Sequence, residues 1–188
     1  AISAEDLRDI TRMRLLIDLP ALEDAIAHGD DGWEATVLAA HHRLDRMESR
    51  LSDGPVVLDD EWSSLHKGFH QSLLAACTSA RQLAWSESLF DQAERYRRFS
   101  ARFRTTSRRK SDEHRRLMQA VISRDTQLAC ALLTEHIQST LRNVEASLKT
   151  GRLMLPGAHR FADQRLTEDT DVIAAMRALE KFEQQSRQ

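Results

Sequence analysis

Glycine and proline are scarce in this sequence, with six and three among 188 residues. So few chain-breakers exclude a fold of many short strands joined by tight turns, and they favour long uninterrupted helices. Cysteine is scarcer still, at two residues, Cys77 and Cys130. Both lie in apolar, helix-like stretches, so buried free thiols are expected rather than a disulfide. Free thiols suit a reducing cytoplasm, where the chain is expected to reside. No apolar run approaches the ~20 residues that a membrane-spanning helix needs. The opening Ala1-Ile2-Ser3-Ala4-Glu5-Asp6 lacks the basic-then-apolar order of a signal peptide. A surplus of positive charge is also missing, the net charge being -2 with histidine neutral. A domain that grips DNA by itself carries a clear basic excess, so direct DNA binding is not expected of these residues.

What is present reads as one globular helical domain. Hydrophobic residues make up 41% and charged residues 30%, and the good helix formers Ala, Leu, Arg, Glu and Gln fill most of the chain. Ser3 is expected to cap a first helix with Glu5 and Asp6 in its first turn, and Pro20 to interrupt or kink it. A second helix is expected from about Trp33 to Leu51, with Val37, Leu38, Leu44 and Met47 inward. Ser52-Asp53-Gly54-Pro55 breaks the chain. A third helix runs from near Asp59 to about Cys77, and a fourth from about Ala80 to Arg104. After Thr105-Thr106-Ser107, Ser111 caps a fifth. Asp125 or Thr126 caps a sixth, which Gly151 stops. A tail follows, with one further helical stretch over about 170–184. The fold class expected is all-α, an antiparallel bundle of six to seven helices, with a domain over 1–150 and a C-terminal extension over 151–188.

Four of the eight histidines stand out by position. His66 and His70 are spaced i,i+4 on one helix, so both rings leave the same face. That is the usual helical chelate for a transition metal. His114, near the start of the fifth helix, and His136, midway along the sixth, would complete a four-nitrogen set. Neutral imidazoles suit Zn, Ni, Cu or Fe(II), and no cysteine lies near to supply a thiolate. Spacing alone also admits a chance surface pair, a solvated His114 and a core His136 bonded to a carbonyl. The neighbours His41 and His42 cannot chelate together and read as surface residues. His28 and His159 carry no signal.

Taken in order, these segments resemble the effector-binding (FCD) domain of the FadR branch of the GntR transcription regulators. One signature places Phe-His before a run of small residues, matched by Phe69-His70 and Ala75-Ala76-Cys77. Another is a Glu-His leading into an apolar turn and an acidic cap, matched from Glu113-His114 to Asp125. A third is a His in the last helix, matched by His136. The family's first helix carries an Arg with an acidic residue four later, matched by Arg14 and Asp18. None of these is specific alone, but four in order and at the right spacing are, and they cover about residues 4–149. Asp60-Glu61-Trp62 and Arg95-Tyr96-Arg97 look closest to a subgroup tied to short-dicarboxylate catabolism.

The resemblance implies a divalent transition metal, Zn first with Ni or Fe as alternatives, held by His66, His70, His114 and His136. It implies a small carboxylate effector, a homodimer, and contact with operator DNA only through an N-terminal winged-helix domain that these 188 residues do not contain. No membrane partner is implied. For the effector carboxylate, Arg14 is the first candidate, with Asp18 beside it; Arg95, Arg97 and Arg102 are weaker, because a helix so rich in arginine must leave most of them in solvent. Two departures matter. His66 stands where the family has a metal-ligating Asp, which makes the ligand set one negative charge poorer and more open to an anionic effector. The tail after Gly151 is longer than the family needs.

Two other readings remain at this level. A metalloenzyme would need a base near the metal, and Asp18, Glu113 and Glu135 are the candidates, although Glu113 and Glu135 adjoin ligands in sequence and should point elsewhere. A helical dimerisation module with a vestigial site is the other, with Val172, Ile173, Met176, Leu179 and Phe182 as an interface stripe. No catalytic residue is assigned.

Overall fold

The computed structural model describes residues 3–51, 58–102 and 110–149. Among them every regular element is a helix: α1 (Ala4–His28), α2 (Asp31–Glu48), α3 (Asp60–Leu74), α4 (Ala80–Arg102), α5 (Lys110–Ile122) and α6 (Thr126–Lys149). The expected tail helix, its interface stripe and the Gly151 stop lie outside the described residues.

Local chemistry sets the helix starts. Ser3 caps α1, its hydroxyl accepting from the Asp6 amide at 3.3 Å. Asp30, Asp59 and Asp125 do the same for α2, α3 and α6, at 2.8, 2.7 and 3.0 Å. Pro20 does not interrupt α1, which continues to His28. The carbonyl that Pro20 cannot bond is that of Leu16. Both residues are exposed, so that carbonyl can turn to solvent. The next carbonyl, of Ile17, takes a hydrogen bond from Gln82 Nε2 at 2.9 Å.

The helices form an antiparallel bundle. α1 packs chiefly on α4 and α6, and α2 on α3 and α5. One core fills the interior, with Leu22, Val37, Leu44, Trp62, Phe69, Leu73, Leu117 and Val121 at most 1% exposed. A smaller cluster of Leu7, Ile10, Tyr96, Phe99 and Val144 closes the end where α1 begins. Leu38, read as inward from the sequence, is 46% exposed; one residue on from buried Val37, it lies about 100° around the helix. His41 is a second correction. It is 8% exposed, not on the surface, and lies edge-on to Phe69 at 5.7 Å. Burial there holds its imidazole below the ordinary histidine range. His42 is exposed.

The α1–α2 corner is tightly built. Arg124, with φ 58°, donates to the carbonyls of Ile26 and Gly29 at 2.5 and 2.9 Å, and its guanidinium lies 5.1 Å from the Trp33 ring centre. Trp33 in turn donates its indole N–H to the Ser72 carbonyl at 2.9 Å. A Cβ on Gly29 would fall 2.0 Å from Cε3 of that pinned ring. Gly29→Ala is therefore expected to destabilise the domain by about 1–3 kcal/mol, the usual cost of overpacking. Thermal unfolding followed by circular dichroism measures this, and an unchanged midpoint would contradict the packing described.

No helix among the described residues is long and apolar enough to cross a membrane.

Candidate metal centre

α3 supplies half of the centre. Trp62, His66 and His70 follow one another at i,i+4 and share the buried face of that helix. α5 brings His114 and α6 brings His136. The four rings converge inside the bundle, with ligand atoms all within 4.8 Å of one another. His66 Nε2 and His70 Nε2 are 3.1 Å apart. Around a tetrahedral Zn with bonds of ~2.0–2.1 Å, nitrogens stand about 3.3 Å from each other. The set is thus within small side-chain rotations of closing on one ion.

The donor set fits a metal on two further observations. Nε2 of His114 is buried with no hydrogen-bond partner among the described residues. A buried polar nitrogen left so costs about 1–3 kcal/mol, which coordination of His114 would remove. Protonation also favours it. Burial, then the neighbouring imidazoles, pushes His66 and His70 well below the ordinary histidine range; Arg97 acts in the same sense on both and Arg14 on His70. Both rings are therefore neutral at physiological pH, the form that binds metal.

Two carboxylates meet the candidate ligands from outside. Glu48, the last residue of α2, places Oε2 3.0 Å from His114 Nδ1. Its Oε1 accepts the Trp62 indole N–H at 3.3 Å, and Trp62 stacks on His66 at 4.4 Å and 16°. Glu113 places Oε2 3.3 Å from His136 Nδ1. A carboxylate on the far nitrogen fixes the tautomer and turns the other nitrogen inward. The two carboxylates can balance a divalent ion, which offsets the charge deficit expected from His66. Glu113 thus corrects the sequence reading. It points away from its neighbour His114, as expected, and toward a ligand on the next helix. Glu135 instead pairs with Arg142 at the surface. No sequence signal marked Glu48. Trp62 could have been found, because it stands one turn before His66 on the same stripe.

Glu48 serves two donors, and Gln offers them only one acceptor. Glu48→Gln is expected to weaken Zn affinity about 10–100-fold, as loss of such outer partners does elsewhere. A competition titration against a chromophoric chelator reads this, and unchanged affinity would remove Glu48 from the centre.

The arginine candidates separate. Arg14 is 5% exposed, and its Nε and Nη2 each lie 3.0 Å from Asp18 Oδ2. Arg97 is equally buried. It bonds Glu94 Oε2 at 2.9 Å and the Phe90 carbonyl at 2.8 Å, and burial lowers its pKa to about 10. The two guanidiniums lie 5.2 and 3.9 Å from the Phe90 ring centre. Arg95 does not join them. It is exposed and paired with Asp6, beside the smaller apolar cluster, because two residues from Arg97 is more than half a turn of helix. Arg102 is exposed as well. Arg14, Asp18, His70, Ser86 and Phe90 border a cavity of about 20 Å³, room for one water molecule.

The model of the FCD domain matches residues 9–139. The chain belongs to the FCD-domain family. This FCD domain is 34% identical over 140 residues to the HTH-type transcriptional regulator BphR of Paraburkholderia xenovorans, covering 74% of this chain and 57% of that protein. It is 34% identical over 152 residues to the HTH-type transcriptional repressor GlaR of Escherichia coli, covering 79% of this chain and 68% of that one. Among solved structures, a GntR-family transcriptional regulator from Pseudomonas syringae superposes with a TM-score of 0.65 at 21% identity, over 80% of this chain and 61% of that one. The FCD domain thus has relatives that are transcriptional regulators and the fold of GntR-family members, and it spans somewhat over half the length of BphR.

Proposed function

We propose that this FCD domain is the ligand-sensing part of a cytoplasmic bacterial transcription regulator of the GntR/FadR type, acting as a homodimer. His66, His70, His114 and His136 hold a divalent transition metal, Zn foremost. The ion supplies Lewis-acid affinity for one carboxylate oxygen of a small effector, and Arg14 holds another oxygen by charge-assisted hydrogen bonds. Binding alters operator affinity through a winged-helix domain beyond these residues. The domain occupies 1–150, and 151–188 form an extension.

One observation carries this reading. Four histidines with ligand atoms within 4.8 Å of one another, met by two outer carboxylates, adjoin a cavity bordered by His70 and the buried Arg14–Asp18 pair. The cavity also gives the domain a way to respond. It is narrow, about 20 Å³, so a carboxylate is accommodated as the helices that border it, α1, α3, α4 and α6, separate. A ligand that fits one packing and not the other shifts the balance between them. The same geometry favours binding over turnover. Glu48 and Glu113 are engaged on the far nitrogens of the ligands, so each holds a ring and is not free to act as a base.

The test is metal content of protein purified without an affinity tag, with His70→Ala and His114→Ala beside it, followed by calorimetric titration of C2 to C6 mono- and dicarboxylates. About one ion per chain, lost in both variants, with at least one carboxylate bound by the loaded protein, is the expected outcome. Wild-type protein that neither contains nor takes up Zn or Ni overturns the metal, and no binding across the panel overturns the sensor.

A further inference from the structure

Lys67 stands about one turn before His70 on α3, and its ammonium reaches across to α4. It lies 3.0 Å from Glu87 Oε1 and 2.8 Å from Asp91 Oδ1. Glu87 and Asp91 are spaced i,i+4, so both carboxylates leave α4 on one side. Ser86 and Phe90, one residue before each, are buried. Glu87 therefore sits on a rim. It borders the inner cavity with His70 and Asp18, and it also borders an open groove along α4 with Ser88, Asp91 and Arg95. The seam between α3 and α4 is loosely packed, since α3 packs chiefly on α2 and α4 chiefly on α1 and α6.

We infer that this seam is the path by which a divalent ion reaches the four histidines, with Glu87 and Asp91 receiving the cation and Lys67 closing the mouth. The charges stand in the right order. Two carboxylates at the surface attract a cation. Lys67, itself a tethered cation, holds their oxygens until the ion displaces it. The cavity behind them, about 20 Å³, has room for one water molecule, so the ion sheds most of its hydration shell to enter. A protein oxygen has to replace that water. Asp18 borders the cavity, and its Oδ1 is buried with no hydrogen-bond partner among the described residues. Arg14, whose charge would oppose a cation, is offset by Asp18 Oδ2, where both of its contacts fall. Of the four histidines only His70 borders the cavity, which makes it the first ligand the ion meets. This inference rests on the metal centre proposed above.

The experiment follows Zn uptake and release by the full chain in a stopped-flow instrument, with free Zn read by a chromophoric chelator. Two variants break the clasp from opposite sides. Lys67→Gln leaves two unopposed carboxylates at the mouth and is expected to take up and release Zn about three- to tenfold faster. Glu87→Gln with Asp91→Asn leaves an unopposed ammonium there and is expected to slow both rates by a similar factor. Those factors are the worth of one or two exposed ion pairs. Equilibrium affinity should stay within about threefold in both, because a mouth alters passage and not the bound state. The differences should shrink at high salt, where exposed charges are screened. A clasp that merely joins α3 to α4 would shift both variants the same way, since both break it. Arg43→Gln, which removes an exposed charge from α2, should leave the rates unchanged. Rates that move together in the two clasp variants, that do not move, or that Arg43→Gln reproduces overturn the path and leave the metal centre intact; entry then lies nearer His136, the most exposed of the four histidines. Wild-type protein that takes up no Zn overturns the centre and the path together.

Discussion

Stripping the metal with a chelator is expected to lower the melting temperature of this domain by about 8–16 °C at neutral pH. An ion present at a thousandfold excess over its dissociation constant stabilises the fold by about 4 kcal/mol, and each kcal/mol moves the midpoint of a domain this size by about 2–4 °C. The stripped protein should also become acid-sensitive in a defined window. His66 and His70 sit well below 6.5 in the folded chain because burial and neighbouring positive or ionisable rings oppose their charging. In the unfolded chain they return to about 6.5. Below 6.5 the unfolded state therefore binds more protons than the folded one. The stability is complete above pH 6.5 and is lost as pH falls beneath it, by up to about 1.4 kcal/mol per pH unit for each ring. Differential scanning calorimetry of chelated protein from pH 7.5 to 5 follows both effects. A midpoint unmoved by chelation would argue against the metal centre. A midpoint flat through the acid range would argue against two buried neutral histidines.

Removing the Arg14 side chain should be almost as costly. Arg14→Ala strands Asp18, 2% exposed, as a buried charge without its partner. Breaking a buried pair from one side costs about 3–5 kcal/mol. Replacing both partners by apolar groups of similar size, as in Arg14→Met with Asp18→Leu, should recover most of that stability, since no unpaired charge remains. The two proteins separate structure from recognition. The double variant should melt near the wild type, keep its metal and fail to bind carboxylates. Should it bind them as the wild type does, Arg14 is a structural residue and the effector is held elsewhere. Urea titration gives the stabilities and calorimetry the binding.

The four histidines were legible because a helix converts spacing into direction. His66 and His70 at i,i+4 must share a face, whatever the rest of the chain does. His114 and His136 joined them through their place in a family pattern, and the bundle brings all four rings together. The partners of those rings were not legible. Glu48 lies on a different helix from His114, separated from it by 66 residues, and no local pattern links them. Arg95 and Arg97 looked alike in the sequence, yet one is solvated and the other fully buried. The phase of α4 against α1 and α6 makes that choice. His41 looked like half of a surface pair and proves to be a core residue for the same reason.

The sequence by itself determined the helices, the Ser3 cap and the i,i+4 chelate, because each depends on contacts within one or two turns of chain; Ser111, expected to cap the fifth helix, instead lies inside α5, which begins at Lys110. Only the tertiary structure decided which carboxylates stand behind the ligands, which arginines reach the interior and which oxygen of Asp18 is left without a donor. Those depend on how six helices are rotated against one another, and that rotation is set by packing the whole core at once, not by any segment of it.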